Sequence, residues 1–371
     1  MNHIFRRNAS IWVAIALWIA SNVFVTGIAK VATWEGNASY TGVASLCKWD
    51  CGWYGTVLEG GYDKAPPRDE GGHANWGFHP LFPLTAYLFR HWLKLSIPLS
   101  LVLASKAELL FAIYSFLLMV GDQAKTTVHL FQAGSLVAFN PYLIYAHAGY
   151  AEPFYFALVA FAFYLASRQQ WVASGITAAL LSATRVVGFL FSISYVLIWL
   201  RDMGWRPSWR KCAPERLIGL LLCPLGTAIY MLYLYRHSGD ALAEIHVHVA
   251  FADGKSSVNP VSMLWMSLAA HHWFRVWGVM SLAGLVASAW LCKLRKPELG
   301  LYLALSIFIP LSAGFAPYGM ARYIWWQPPF LYMIYWVLKR HAAWWSVYTA
   351  FASGMASFMI MGWFSGHNFV V

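Results

Sequence analysis

Apolar residues in this chain fall into long runs rather than the alternating or 3.6-residue stripes of water-soluble strands and helices. The first run, from about Ile11 to Ala29, is long enough to cross a bilayer and lacks a convincing cleavage site. It reads as a signal-anchor helix with its amino terminus in the cytoplasm. Further runs fall at about 78–92, 99–120, 127–149, 152–167, 172–183, 186–200, 215–235, 273–292, 299–316, 324–338 and 343–362. Several are shorter than the roughly 20 residues a straight crossing needs, so they must tilt, break or be buried among neighbours. The pattern predicts an all-α, polytopic transmembrane helical bundle of about eleven spans forming a single domain over residues 1–371. Two polar interruptions stand out as loops, 30–77, expected to be partly helical, and 236–272. No internal repeat is visible.

Composition narrows the solvent. Hydrophobic residues make up 60%, aromatic residues 18% and charged residues only 11%. A soluble domain carries about twice that charged share, so lipid is what covers the remaining apolar surface. The net charge of +11 does not point to nucleic acid, because the basic residues cluster in short connections: Arg6 and Arg7, Arg90 and Lys94, Arg201 to Arg216, Lys293 to Lys296, and Lys339 with Arg340. That is the positive-inside signature of cytoplasmic loops. With these clusters and Arg168 inside, the only acids on that face are Asp202, Glu215 and Glu298, and both long loops become extracytoplasmic. Between Lys94 and Glu152 an odd number of crossings is needed where two runs are seen. One run is therefore broken in two or does not cross.

Candidate chemistry gathers on the extracytoplasmic side. In Lys48-Trp49-Asp50-Cys51-Gly52-Trp53-Tyr54 a carboxylate sits among aromatic rings, where partial desolvation makes it a better base and the rings of Trp49, Trp53 and Tyr54 offer faces for a sugar. A solvated Asp50 beside interfacial anchors is the bland alternative. Cys47 and Cys51 bracket Asp50. Helical geometry at that spacing is poor for a disulfide, so two free thiols are expected, a bridge being the alternative. In Asn75-Trp76-Gly77-Phe78-His79-Pro80-Leu81, the prolines and exposed N–H groups of a helix start, with His79 beside them, make an anion-friendly spot, unless His79 only caps or faces water. Arg185 and Arg322 lie at membrane edges facing outward, against the positive-inside pattern. Phosphate is a natural bidentate partner for each, and a structural pairing with Glu152 or lipid headgroups is the alternative. Glu152 could orient Arg185, bind an acceptor or complement a helix terminus. Lys255 adds a cation in the second loop. His246 and His248, on a strand, would share a face as metal ligands do, but no third ligand stands at a telling spacing, so neither a metal nor another cofactor is expected.

Taken in order, these segments resemble the PIG-V family of GPI mannosyltransferase II and its bacterial relatives, within the GT-C superfamily of polytopic glycosyltransferases. The matching elements are Trp49-Asp50, Trp53-Tyr54 and Gly61-Tyr62, then Phe78-His79-Pro80-Leu81-Phe82-Pro83-Leu84, Asn140-Pro141, Tyr150-Ala151-Glu152, Ala183-Thr184-Arg185 with Gly188, and Arg322-Tyr323. Each is short, and their order over residues 49 to 325 carries the likeness. His79 departs from the family, where a second aromatic residue is more usual, and is similar to other GT-C branches. The resemblance implies a GT-C-like fold with Asp50 as the catalytic acid of the first extracytoplasmic loop, inverting transfer, and a hexose donor, mannose in the first instance, carried on polyprenyl phosphate. The acceptor would be a lipid, glycan or protein other than a GPI anchor, and the enzyme would sit in a bacterial inner membrane with its site on the periplasmic face. Arg185, Arg322, His79 and Lys255 would hold the donor phosphate, with Trp49, Trp53, Tyr54, Glu152 and Tyr323 around the substrates. The rival is a lipid or solute transporter or flippase, for which the mid-span charges Lys106, Glu108 and Asp122 are the candidates.

Overall fold

The computed structural model describes residues 3–34, 40–65, 73–205, 213–251, 258–312 and 319–366. It is all-α. Its helices are α1 (His3–Trp34), α2 (Asp50–Gly60), α3 (Leu81–Leu93), α4 (Ile97–Val120), α5 (Thr127–Ala138), α6 (Glu152–Ser167), α7 (Trp171–Ser182), α8 (Phe191–Asp202), α9 (Pro214–Leu222), α10 (Leu225–Ser238), α11 (Ala243–Phe251), α12 (Pro260–Ala269), α13 (Trp273–Lys293), α14 (Pro297–Ser312), α15 (Met320–Trp325), α16 (Pro328–Leu338) and α17 (Ala342–Ser365). Their ends follow local chemistry. Asn259 caps α12 by accepting from Val261 N at 2.9 Å, with Pro260 in the first turn.

Among the described residues, four stretches are long and apolar enough to cross a bilayer: Asn8–Trp34, Ile97–Val120, Phe274–Lys293 and Ala343–Ser365. The pair Pro214–Leu222 and Leu225–Ser238, bent by 41° at Cys223-Pro224, makes a fifth. Shorter apolar helices accompany them: Glu152–Ser167, Trp171–Ser182, Pro260–Ala269, Pro297–Ser312 and Pro328–Leu338. Many runs were real helices but short ones, divided where proline cannot continue the backbone ladder. The run at 127–149 is one of them: it splits at Asn140-Pro141 into α5 and a 3₁₀ turn, Leu143–Ala146.

By contacts the chain divides into two compact units. The first comprises 1–58, 82–164 and 331–371. In it α1 packs on α4, α5 and α17. It buries Val13, Leu17 and Val25 and exposes Trp12, Ile19 and Val23, an outer face suited to lipid tails. Several polar side chains within this unit pair with one another, which lowers their cost in hydrocarbon. Lys106 Nζ donates to Asn22 Oδ1 and His147 Nδ1, each at 2.7 Å, and His147 Nε2 meets Ser21 Oγ at 3.0 Å. Thr85 Oγ1 donates to Glu108 at 2.8 Å.

The second unit comprises 59–81 and 165–330. Here α13 packs on α12, α14 and α15, and α7 on α9 and α10. A corner follows α7 and is clamped by α10. Thr227 N donates to Ser182 Oγ at 3.2 Å, and Thr227 Oγ1 donates to Ser182 O at 2.8 Å. Gly226 lies so close that a Cβ would stand 2.1 Å from Ala179 O, so only glycine lets α10 seat there. This corner carries Arg185.

Candidate functional site

Asp50 is the first residue of α2, and five interactions fix the backbone around it. The chain arrives through a 3₁₀ turn, Val43–Leu46, continues extended at Cys47, and reverses at Trp49, whose φ of 50° lies in the left-handed region. A tryptophan held there is strained by about 1–2 kcal/mol and persists only when its surroundings impose it. The reversal brings Cys47 and Cys51 to a Cα–Cα distance of 5.3 Å, and they are joined as a disulfide. The expectation of free thiols therefore fails: it assumed that both cysteines lie on one helix, whereas Cys47 precedes the turn. The Tyr150 hydroxyl accepts from Asp50 N and donates to Lys48 O, both at 3.2 Å. Lys48 Nζ donates to Trp363 O at 3.0 Å, and Trp363 Nε1 donates to Leu46 O at 3.1 Å. Partial burial holds the Lys48 ammonium below the ordinary lysine value.

The rings named as sugar platforms have partners within the protein. Trp49 meets Trp363 edge-on with centroids 4.4 Å apart, and Tyr54, buried, meets Phe82 at 4.7 Å. Trp53 is half-buried. Glu152 opens α6 and is 1% exposed, a placement that favours a carboxylate at a helix amino terminus.

Gly149, next to Tyr150, has φ +80°, and a Cβ there would lie 2.5 Å from Cys51 Sγ. The bridged sulfur cannot swing away. Gly149→Ala is expected to cost about 2–5 kcal/mol, combining left-handed strain with overpacking. The check is the thermal midpoint of the purified protein, and an unchanged midpoint would remove the proposed close approach.

The cationic residues belong to the second unit. Arg185 is extended and half-buried at the start of the 3₁₀ turn Val186–Leu190. Arg322 is 6% exposed on α15, which starts after Gly319. Both converge on one ring: the Arg185 guanidinium lies 4.5 Å and that of Arg322 4.9 Å from the Tyr323 centroid, and Arg322 Nη2 donates to the Tyr323 hydroxyl at 3.1 Å. The third motif is tied to the first of these. Leu81 N donates to Ala183 O at 3.0 Å, which sets His79 and Arg185 each two residues from a shared hydrogen bond.

A clamp steadies the segment before His79. Asp63 N donates to Asn75 Oδ1 at 3.0 Å while Asn75 N donates to Asp63 Oδ2 at 2.9 Å. Trp76 Nε1 donates to Asp63 O at 2.7 Å, Tyr62 OH to Phe78 O at 2.6 Å, and Tyr230 OH to Trp76 O at 2.8 Å. Ala74, Trp76, Tyr230, Leu234, Ala243 and Val247 form the apolar core beneath, with Tyr62 against it. His79 itself is 2% exposed, and its Nε2 is 2.5 Å from Glu244 Oε1.

Sequence reasoning passed over Glu244. The signal available was its four-residue spacing from His248, which puts both on one helical face, but 243–251 was read as loop. For the same reason His246 and His248 do not share a face. His246 is exposed and pairs with Asp240 at 2.6 Å, while His248 lies beside Gly77. Among the described residues no cluster of three or more metal-ligating side chains occurs. Lys255, Asp253, Asp69 and Glu70 lie outside the described residues.

No protein-family model and no curated protein matches the sequence. Among solved structures, the chain is similar to the oligosaccharyltransferase of Archaeoglobus fulgidus in complex with zinc and sulfate (TM-score 0.46, 16% identity, covering 94% of this chain and 53% of that one). It is similar too to the oligosaccharyltransferase AglB of Archaeoglobus fulgidus in complex with an inhibitory peptide and a dolichol-phosphate (TM-score 0.48, 13% identity, 96% and 56%). A third is the same organism's oligosaccharyltransferase tethered to an acceptor peptide (TM-score 0.45, 13% identity, 96% and 55%). The chain spans about half the length of these proteins.

Proposed function

We propose that this protein is an integral membrane glycosyltransferase that moves a hexose, mannose in the first instance, from a polyprenyl phosphate to a lipid, glycan or protein acceptor on the extracytoplasmic face of an inner membrane. The observation that carries the reading is the convergence of Arg185 and Arg322 on Tyr323. Two guanidiniums gathered at one ring present paired N–H donors that match the oxygens of a phosphate, and they favour it further as it gains a second negative charge on leaving.

In the proposed reaction Asp50 takes the proton from an acceptor hydroxyl. The hydroxyl oxygen forms its bond to the anomeric carbon on the face opposite the phosphate, as the carbon–oxygen bond to that phosphate breaks. The phosphate leaves with the electron pair. It needs charge stabilisation rather than a proton, and Arg185, Arg322, His79 and Lys255 supply it. One carboxylate suffices for such single-step inversion, whereas a covalent intermediate would call for two close carboxyls. The disulfide beside Asp50 supports the extracytoplasmic placement, because such bonds persist in oxidising compartments. Lys106 and Glu108 are hydrogen-bonded between helices, which makes them structural ties rather than the lining of a transport path.

The test supplies the purified protein, in vesicles, with radiolabelled polyprenyl-phosphate mannose, the glucose analogue, and a panel of lipid and peptide acceptors. Transfer of label to an acceptor is expected. Uptake of solute driven by a counter-ion, without transfer, would replace this reading with the transporter.

A further inference from the structure

Besides the two arginines, the second unit holds a buried acid–histidine pair of unusual form. Glu244, in the first turn of α11, is 3% exposed, and its carboxylate meets His79 Nε2 at 2.5 Å. The other ring nitrogen, His79 Nδ1, is buried and has no hydrogen-bond partner among the described residues. Tyr230 covers the ring at 4.9 Å between centroids.

The proton count of this pair decides what Nδ1 presents. An ionised Glu244 beside a neutral imidazole would bury one net negative charge, which is expensive in a low-dielectric interior. With one more proton the pair is neutral overall. Wherever that proton sits between Nε2 and Oε1, Nδ1 then carries the other hydrogen. An N–H left without an acceptor in the interior costs about 1–3 kcal/mol, a cost that a ligand oxygen removes.

We propose that Glu244 is a positioning residue that holds His79 as a hydrogen-bond donor toward an anionic oxygen of the bound lipid phosphate. The inference rests on the phosphate reading above and adds to it the residue that sets the donor. Among the described residues, the titratable groups around the ring are Glu244 and His248 on α11, Tyr230 and Tyr233 on α10, and Tyr62. Burial raises the Tyr62 phenol far above its ordinary value, so it stays neutral. Burial is also the main cause holding His248 below the ordinary histidine value, with Glu244 opposing and His79 reinforcing. His248 therefore brings no charge of its own at neutral pH. Glu244 alone supplies the anion that keeps the second proton on the pair.

The experiment measures binding of a short-chain polyprenyl phosphate, carrying no sugar, to the full-length protein in nanodiscs between pH 5.5 and 8. Wild type is expected to bind with nearly constant affinity over that range. Glu244→Gln is expected to bind about tenfold more weakly at pH 7.5, equivalent to about 1.4 kcal/mol, and to regain affinity toward pH 5.5. Glu244→Asp should restore the neutral-pH value. His79→Gln, which cannot titrate, should show the loss without the acid recovery, and it carries the test if Glu244→Gln does not fold. Equal binding by Glu244→Gln and wild type at every pH overturns the proposal, as does a loss of the same size at every pH, or acid recovery in His79→Gln. Failure of wild type to bind the lipid phosphate overturns both this proposal and the reading it rests on. Binding with the expected pH pattern but no sugar transfer removes the transferase alone.

Discussion

Asp50→Asn is expected to lower the rate of sugar transfer by about 10²–10⁴-fold, the range over which a positioned general base acts, while the protein folds and binds lipid phosphate as before. The substitution is nearly isosteric. The Tyr150 hydroxyl takes the backbone N–H of residue 50, the disulfide joins residues 47 and 51, and Trp49 rests on Trp363. An amide in place of the carboxylate leaves these three supports intact and removes the proton acceptor. The measurement is single-turnover transfer at saturating donor, with thermal stability and donor affinity recorded for the same preparation. Transfer within threefold of wild type would remove Asp50 from the role of base.

The second large effect is expected at Arg322. Lysine there keeps the charge but loses the planar fork, which is the feature matched to a phosphate and to the face of Tyr323. Arg322 is 6% exposed and donates to the Tyr323 hydroxyl at 3.1 Å, so lysine has no room to reach around, and its ammonium cannot present two parallel donors in one plane. Donor kcat/KM should fall about 10²–10³-fold for Arg322→Lys, the size seen when one preorganised donor to a developing anion is removed. Arg185→Lys should cost less, because Arg185 is half-buried and water can replace part of what it donates. The two arginines meet on one ring, so the double variant should fall short of the sum of the singles. Additive losses would mean that they bind separate groups.

The long apolar segments were legible, and so were many of their boundaries. The runs at 152–167 and 172–183 are α6 and α7 to within a residue, because glutamate-proline and glutamine-tryptophan junctions punctuate them in the sequence itself. The partly helical character expected of the first loop is met by α2, whereas the short helices of the second, α11 and α12, escaped, because their mixed polar character carries no run. The disulfide escaped for a related reason. Its geometry depends on a left-handed Trp49, a conformation that tryptophan rarely takes and that no spacing announces. At the site, Arg185 and Arg322 could be picked out singly from their misplaced charge and Tyr323 as the neighbour of Arg322, and the structure added that the three meet. Glu244 could not, since a lone acid among loop histidines gives no hint of a partner 165 residues away.

The ring closed by Cys47 and Cys51 contains only five residues. Cross-links this local remove little freedom from the unfolded chain, so their contribution to global stability is small. What this one governs is the direction in which a single side chain leaves the backbone. Thiols are oxidised on one side of a cell membrane and kept reduced on the other. On the proposed extracytoplasmic placement, a chain inserted the other way round would leave the aspartate without its clasp, and the cell's own redox asymmetry would act as a check on how the protein is threaded.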